Sequence, residues 1–210
     1  MKNPFTRLSS SLMDKLMSRN RPASINFSQI PIPYIERGRL QNGVRRFGGP
    51  SAEYTLWRPN MCSICCVKAV GDATNMTRQL SLFDLIKLSL DEGVFQVRKD
   101  GSINGAFHYP LKNLLHKLGI PARVESSLTT QKIKNNLQAG KVVFLSVNLA
   151  KSRHITSEES HMVTVYRYNA EHDNYSVHDS SSVISENGNA TRIHSSYLDE
   201  LSNSRGLVIG

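Results

Sequence analysis

Cysteine is scarce in this 210-residue chain: there are three, and all lie between positions 62 and 66. Cysteines so close together cannot join distant segments, which excludes a scaffold held together by disulfides and favours a reducing compartment. Long apolar runs are also missing, since none approaches the roughly 20 residues that a membrane span requires. The N-terminus lacks the apolar core of a secretory signal. We therefore expect a cytoplasmic protein, with secretion by another route left open.

Acidic residues are also few, because 17 Asp and Glu stand against 26 Lys and Arg, for a formal charge of +9. Residues 1–50 hold nine of the cations but only Asp14 and Glu36, so residues 51–210 are nearly neutral. That body has no stripe of basic residues interleaved with aromatics, and we expect no nucleic-acid binding. Residues 5–17 instead place apolar side chains at helical spacing beside cations. Such an arm can contact a membrane surface or a protein partner, pack on the domain or stay partly ordered.

The composition predicts one domain preceded by this arm. With 39% hydrophobic residues, the chain can bury a single core. Residues 20–50 are rich in Pro and Gly, which break regular elements, so they predict a linker or an arm draped over the body. We therefore divide the chain into a basic N-terminal arm, residues 1–50, and a folded domain, residues 51–210.

Periodicity and breakers predict helices that come mainly before strands. Ser81 and Asp84 are placed to cap the N-terminus of the second predicted helix, residues 81–91. Helices first and a mainly antiparallel sheet afterwards are typical of an α+β domain. The predicted helices are 62–70, 81–91, 110–118, 130–139 and 196–201, and the predicted strands are 123–125, 141–148, 161–168, 175–178, 192–194 and 207–209.

Cys62 is the candidate nucleophile because it lies where an extended, Pro-containing stretch, residues 57–61, turns into a helix. A thiol attacks only as a thiolate, and its ordinary pKa of about 8.5 leaves little thiolate at neutral pH. Unpaired backbone N–H groups and the helix dipole at a helix N-terminus favour the anion. Cys65 and Cys66 lie one turn deeper, where we expect small buried hydrophobic side chains.

His161 and Asp179 are the candidate base and the residue that orients it. His161 opens a strand whose following residues are apolar, and Asp179 ends the next strand, where an acceptor can hold the second ring nitrogen. Each residue alone is more often structural, a hydrogen-bonded histidine or a residue of a turn. Zinc is a competing interpretation, because Cys62 and Cys65 have metal-ligand spacing and His161 and His178 can complete a set. No second Cys-x-x-Cys follows, so we predict neither metal nor cofactor.

Several segments, in the same order, resemble papain-like cysteine peptidases related to the double-glycine leader peptidases, a bacterial group that processes bacteriocin precursors. Residues 62–70, CSICCVKAV, are similar to that group's Cys-Gly-x-Ala-Cys-Leu-x-Met-Val helix. Residues 105–111, GAFHYPL, are similar to its Gly-Trp-x-His-x-Pro-Leu segment. The resemblance covers about residues 54–209 and extends through 114–121, 137–143, 161–165, 178–179 and 205–209.

This resemblance implies a papain-like fold, in which a helical half that bears the nucleophile packs on an antiparallel sheet that bears the base. It gives Cys62, His161 and Asp179 the positions of a catalytic triad, and it places His108 near the cleft between the halves. Trp57, at the start of the stretch before Cys62, is a second cleft candidate.

Three positions depart from the family pattern. Ser63 and Ser160 replace glycines beside the nucleophile and the histidine, and each adds a side chain where backbone approaches substrate. Leu56 stands where these enzymes usually carry a Gln that donates to the oxyanion. Loss of one such donor can cost about 2.7–4 kcal/mol of transition-state stabilisation. Asn60 is our candidate replacement, with the backbone N–H of Cys62 as second donor.

The sequence therefore predicts thiol-dependent hydrolysis of a peptide or amide bond in a peptide or protein, through an acyl-enzyme on Cys62. Two alternatives stay open at this point. An acyl or peptidyl transferase would pass the same acyl group to an amine, and a non-catalytic peptide-binding domain would keep the fold alone.

Overall fold

The structure is a computed structural model that describes residues 22–37, 45, 47–153, 160–184 and 187–210. The predicted amphipathic stretch, residues 5–17, lies outside them. Helices in the described residues are α1 (Ser51–Trp57), α2 (Cys62–Ala73), α3 (Leu82–Asp91), α4 (His108–Lys117), α5 (Thr130–Gln138), α6 (Leu149–Arg153) and α7 (Ser195–Leu201). Strands are β1 (Phe95–Val97), β2 (Ile103–Gly105), β3 (Ala122–Glu125), β4 (Val142–Asn148), β5 (Ser160–Asn169), β6 (Asn174–His178), β7 (Thr191–His194) and β8 (Ser202–Ile209).

Six of these strands form one antiparallel sheet in the order β3-β8-β4-β5-β6-β7. β4 lies inside the sheet and is buried along nearly its whole length, which explains its continuous run of apolar residues. β5 pairs with β4 on one side and with β6 on the other. This order brings the start of β5 and the end of β6 together at the same end of the strands.

The sheet separates two hydrophobic clusters. One lies between the sheet and the helices α1 to α4, and it includes Met162, Phe144 and Leu207. The other lies on the opposite face, where α5 and α7 cover Val143, Val163 and neighbouring residues. α2 crosses the centre of the first cluster, and most of its side chains are buried, as its small and apolar composition predicts. Together with the antiparallel sheet, this arrangement confirms the predicted α+β class.

Helix α3 confirms the predicted capping box. The Ser81 hydroxyl accepts from the backbone N–H of Asp84 at 3.1 Å, and the Asp84 carboxylate accepts from the backbone N–H of Ser81 at 3.1 Å. This reciprocal pair satisfies two donors that a helix start otherwise leaves free. Here the sequence pattern and the local structure agree.

Four elements differ from the predictions, and one of them is β8, which begins at Ser202 and not at residue 207. Residues before Cys62 are not an extended approach, because α1 is a helix and only a short turn, residues 58–61, separates it from α2. The hairpin of β1 and β2 was not predicted, since its strands have three residues each and show no clean alternation of burial. The short helix α6 also escaped prediction, because five residues cannot display a helical period.

The described part of the arm, residues 22–37, packs on the body, and we call it the arm segment. Phe27 and Ile32 are buried, with 5% and 8% of their surface exposed, and both belong to the cluster on the α2 side of the sheet. The backbone N–H of Phe27 donates to the carbonyl of Gly140 at 2.6 Å. The arm segment thus contributes to the core. The boundary at residue 50 itself stays a prediction.

No helix in the ranges that the structure describes is both long enough and apolar enough to cross a membrane.

We expect Phe27→Ala to lower the free energy of unfolding by about 3 kcal/mol, because it removes a buried ring and leaves a cavity. Urea denaturation measures this change. Gln29→Ala, on the exposed side of the same segment, is the control and should have little effect. Equal stability of the two variants would show that the arm segment does not contribute to the core.

Candidate active site

The fold brings together three residues that are far apart in sequence. Cys62 is the first residue of α2, His161 is the second residue of β5, and Asp179 follows the last residue of β6. α2 packs directly on β5, as shown by the Cys66 Sγ atom, which lies 3.7 Å from the Met162 carbonyl oxygen. β6 is the neighbour of β5 in the sheet. The thiol, the ring and the carboxylate therefore meet where β5 begins and β6 ends.

The His161 ring connects the other two groups. Its Nε2 lies 2.7 Å from Asp179 Oδ1, and its side chain is only 3% exposed. The Cys62 side chain lies close enough to the ring for each group to shift the pKa of the other. Because Nε2 faces Asp179, the nitrogen left for the sulfur is Nδ1. Cys62 itself is partly exposed, so its sulfur can meet a ligand in the cleft.

Asp179 is fully buried and accepts hydrogen bonds from five donors. His161 Nε2 and the backbone N–H and hydroxyl of Ser181 reach its Oδ1 atom, at 2.7, 3.0 and 3.0 Å. The backbone N–H groups of Val183 and Ile184 reach Oδ2, at 2.7 and 2.9 Å. Burial alone would raise the pKa of Asp179, but His161 and these donors hold it well below its usual range. The carboxylate stays charged and fixed in orientation.

Cys62 and His161 stabilise each other's charged forms. Burial alone would raise the pKa of the Cys62 thiol, but the charge and hydrogen bond of His161, with the backbone N–H groups of Met162 and Ser63, leave it below its ordinary value. Burial alone would lower the pKa of His161, whereas the Cys62 thiolate and Asp179 raise it to about 9. The two shifts together favour the pair of a thiolate and an imidazolium over the neutral thiol and imidazole.

Cys65 and Cys66 differ from Cys62 in both position and chemistry. Both are buried, and burial raises the pKa of Cys65 to about 12 and that of Cys66 well above its ordinary value. Their sulfurs stay protonated at neutral pH. In the described residues, no group of three or more His, Cys, Asp or Glu side chains is placed to hold a metal ion.

A cleft of about 480 Å³ opens in front of Cys62 and His161. His108, at the start of α4, lines it, and its Nε2 lies 2.9 Å from the Ser146 hydroxyl of β4. Burial and the charge of nearby Arg205 lower the pKa of His108, so its ring is neutral at neutral pH. His108 is a wall of the cleft and not a partner of the thiol.

The other two cleft candidates differ in position. Asn60 lines the cleft, and its side-chain nitrogen donates to the carbonyl of Leu56 at 3.4 Å. Trp57 does not line the cleft, so this prediction is wrong. Its side chain is 0% exposed and packs edge to face with Phe95, since α1 turns this residue inward. A helix before Cys62, in place of an extended approach, accounts for the difference.

The departures from the family pattern are visible here. Leu56 is 40% exposed, and no side-chain donor stands at that position. Ser63 is fully buried, so its side chain does not project into the open part of the cleft. Ser160 is exposed at the cleft beside His161. Only Ser160 adds exposed bulk to the walls.

The arm segment is hydrogen-bonded to the loop that begins at Asp179, residues 179–184. The Tyr34 hydroxyl donates to the Asp179 carbonyl oxygen at 3.1 Å, and the Arg37 backbone N–H donates to the carbonyl of Ser180 at 3.0 Å. Sequence analysis did not identify Tyr34 as part of the site. The only signal in the sequence is that Tyr34 is an aromatic residue within a polar, Pro- and Gly-rich stretch.

His178, next to Asp179, also fixes the arm segment. Its Nε2 lies 2.9 Å from the Ile32 carbonyl oxygen, and its Nδ1 accepts from the backbone N–H of Ala190 at 3.1 Å. Its ring stacks on Tyr166 with centroids 4.4 Å apart. These partners define a neutral ring with the proton on Nε2. Burial lowers the pKa of His178 accordingly.

Structural comparison confirms the predicted papain-like fold. The peptidase domain of Streptococcus ComA, a bifunctional ABC transporter involved in a quorum sensing pathway, superposes with a TM-score of 0.54 at 11% identity, over 86% of this chain and 98% of that domain. A protein described as a C39-like peptidase from Bacillus anthracis gives a TM-score of 0.54 at 11% identity, over 90% and 98% of the two chains. No protein-family model and no curated protein sequence matches the chain. At this identity the likeness extends to the fold alone.

We expect iodoacetamide to alkylate Cys62 at neutral pH far faster than Cys65 or Cys66, because only Cys62 has a lowered pKa. The labelling rate should rise with pH below the ordinary thiol pKa of about 8.5. Peptide mapping by mass spectrometry measures each rate. His161→Ala should move the rise toward that ordinary pKa, and His172→Ala, at an exposed site away from the cleft, should not. Equal, slow labelling of all three thiols would contradict the geometry described above.

We also expect stability to fall as the pH drops below about 6.5, the ordinary pKa of histidine. Below that pH, His178 binds a proton in the unfolded chain but stays neutral in the folded protein, where its pKa is lowered. The contribution is present above pH 6.5 and is lost on acidification. His178→Gln, which has no proton to take up, should flatten the fall in urea midpoint between pH 7 and pH 5. An unchanged pH dependence would exclude His178 as its source.

Proposed function

We propose that the protein is a thiol peptidase that hydrolyses a peptide or amide bond through an acyl-enzyme on Cys62. The observation that carries this proposal is the convergence of Cys62, His161 and Asp179, with His161 hydrogen-bonded to Asp179 at 2.7 Å, beside a cleft of about 480 Å³. The shared fold with peptidase domains supports the same class of function.

The first half of the reaction forms the acyl-enzyme. The Cys62 thiolate attacks the carbonyl carbon of the substrate, so a carbon–sulfur bond forms and the carbonyl oxygen takes the negative charge. The imidazolium of His161 then gives its proton to the nitrogen of the leaving group, and the carbon–nitrogen bond breaks. An amine leaves, and a thioester remains on Cys62.

The second half returns the enzyme to its starting state. His161, now neutral, takes a proton from a water molecule, whose oxygen attacks the thioester carbon. The carbon–sulfur bond breaks, the acid product leaves, and the thiolate and imidazolium are restored. Asp179 stays charged throughout and keeps the ring in the orientation that both steps need.

Two groups near the sulfur are suited to stabilise the oxyanion. Cys62 is the first residue of α2, so the backbone N–H of Cys62 has no acceptor within the helix. The N-cap residue, Met61, provides no side-chain cap. Asn60 lies beside Cys62 in the cleft. We assign the second donor to the Asn60 amide, whose weak 3.4 Å contact with the Leu56 carbonyl is readily exchanged for a stronger partner.

The pH dependence follows from the coupled pair. Activity should rise as Cys62 ionises, below the ordinary thiol pKa, because His161 lowers the pKa of that thiol. It should fall as the pH passes about 9, where His161 loses the proton that the leaving amine requires. A bell-shaped profile centred between these limits is expected.

We expect Cys62→Ala and His161→Ala to abolish hydrolysis of a defined mixture of synthetic peptides, and Asp179→Asn to lower kcat by about 10³-fold or more. Mass spectrometry of the products measures cleavage. Cys65→Ala is the matched thiol control and should keep cleaving. Because Asp179→Asn retains the shape of the site, a loss there reports on the carboxylate itself.

Three outcomes would contradict hydrolysis through Cys62. Cleavage that survives Cys62→Ala would exclude the assigned nucleophile. Products joined to an added amine such as hydroxylamine or glycine amide, in place of free acids, would identify an acyl transferase. Unchanged peptides, together with slow labelling of Cys62, would leave a binding domain.

A further inference from the structure

The cleft extends well beyond the triad and crosses three neighbouring strands, β5, β4 and β8. Its lining runs from His161 on β5, past Ser146 on β4, to Arg205 on β8. β4 separates β5 from β8 in the sheet order. Since neighbouring strands lie about 4.8 Å apart, the backbone of Arg205 is roughly 10 Å from that of His161. An extended peptide bound at Cys62 covers that distance in about three residues.

Arg205 lies on the side of the sheet that faces the helical half. Side chains alternate along a strand, and Leu207 and Ile209, at even steps from Arg205, belong to the cluster between the sheet and α2. Ser146 stands in the same relation to Phe144 on β4. The register of β8 against β4 shifts between Leu145 and Val147, next to this point. Arg205 is exposed at this position, in the cleft.

The charge of Arg205 is not balanced by its described neighbours. No ion pair or hydrogen bond joins its guanidinium to another residue in the part of the chain that the structure covers. Glu125, the acidic residue that lines the same cleft, lies 3.4 Å from Lys132 Nζ and 3.7 Å from Arg123 Nε. His108 is neutral there, for the reasons given above. Among the described residues, this end of the cleft therefore presents a cation without an ion-pair partner.

A guanidinium recognises oxyanions especially well, and the oxyanion that an unmodified peptide supplies is a carboxylate. The planar set of N–H donors on the guanidinium matches the two oxygens of a carboxylate, and the guanidinium cannot lose its charge in a protein. Around it, the hydroxyls of Ser146 and Ser126 also line the cleft, and Tyr109 presents a ring that is 70% exposed. The surroundings are polar, with one aromatic face, and thus suit a peptide that carries a negative charge.

We propose that Arg205 forms a subsite for a carboxylate of the substrate, within about three residues of the bond that Cys62 attacks. The carboxylate belongs either to an Asp or Glu side chain or to the C-terminus of the peptide. This assignment rests on the proposed function, and it names the substrate class: acidic peptides or peptide ends.

The test is cleavage of a defined synthetic peptide mixture, made once with free and once with amidated C-termini. Wild type, Arg205→Gln and Arg205→Glu are compared, with Cys62→Ala as the blank. Arg167→Gln is the matched control, because Arg167 is an exposed arginine of the same sheet that does not line the cleft. Thermal unfolding of each variant reports whether it is folded.

Wild type and Arg167→Gln should prefer Asp or Glu at one position near the cut, or should require a free C-terminus there. Arg205→Gln should lower kcat/KM about tenfold for peptides with that carboxylate and leave their Asn, Gln or amidated counterparts unchanged, the size expected when a charge-assisted hydrogen bond is lost. Arg205→Glu should turn the preference toward Lys and Arg. Dependence on Asp or Glu in amidated peptides identifies the side chain as the source, and dependence on the free end identifies the C-terminus.

Two results would overturn the inference, and they are distinguishable from failure of the proposed function. Cleavage that depends on Cys62 but shows no preference for a carboxylate would remove the Arg205 subsite alone. A carboxylate preference that survives both Arg205 substitutions would remove it as well. Absence of any Cys62-dependent reaction would remove the proposed function, and the subsite with it.

Discussion

The Asp179 carboxylate determines the geometry of the whole site. It is fully buried, where an ion without partners would be costly, and five hydrogen-bond donors compensate that cost. Four of those donors come from Ser181, Val183 and Ile184, so the loop that follows β6 is folded around the charge. The fifth is His161, whose ring is thereby fixed in direction. The sulfur of Cys62 then meets a nitrogen whose position is already set.

The electrostatics of the site follow from that arrangement. A fixed anion beside His161 favours its protonated form, and the protonated ring in turn favours the thiolate. The same helix gives opposite environments to its cysteines, because Cys65 and Cys66 face the interior and have no such partner. Three thiols within five positions thus separate into one whose pKa is lowered and two whose pKa is raised.

Much of this could be predicted from the sequence, and the misses have physical reasons. α2, α3 and the central strands have long apolar patterns or clear caps, so their positions were identified to within a few residues. Cys62, His161 and Asp179 stand at element ends, where polar side chains are free to converge. Trp57 was misplaced because α1 was not anticipated. Tyr34, His178 and Arg205 act through contacts or positions that only the folded sheet creates, and no local pattern marks them.

The arm segment touches both halves of the molecule. Arg37 reaches the Pro59 carbonyl at 3.2 Å with its side chain and the Ser180 carbonyl at 3.0 Å with its backbone, and its own carbonyl accepts from the Tyr54 hydroxyl at 2.9 Å. Pro59 and Tyr54 precede the nucleophile helix, whereas Ser180 follows the acidic residue. Arg37 therefore links the turn before α2 to the loop that follows β6. Moving the nucleophile helix away from the loop that follows the acidic residue requires breaking these bonds, so the arm segment braces the triad although it contributes nothing to the walls of the cleft.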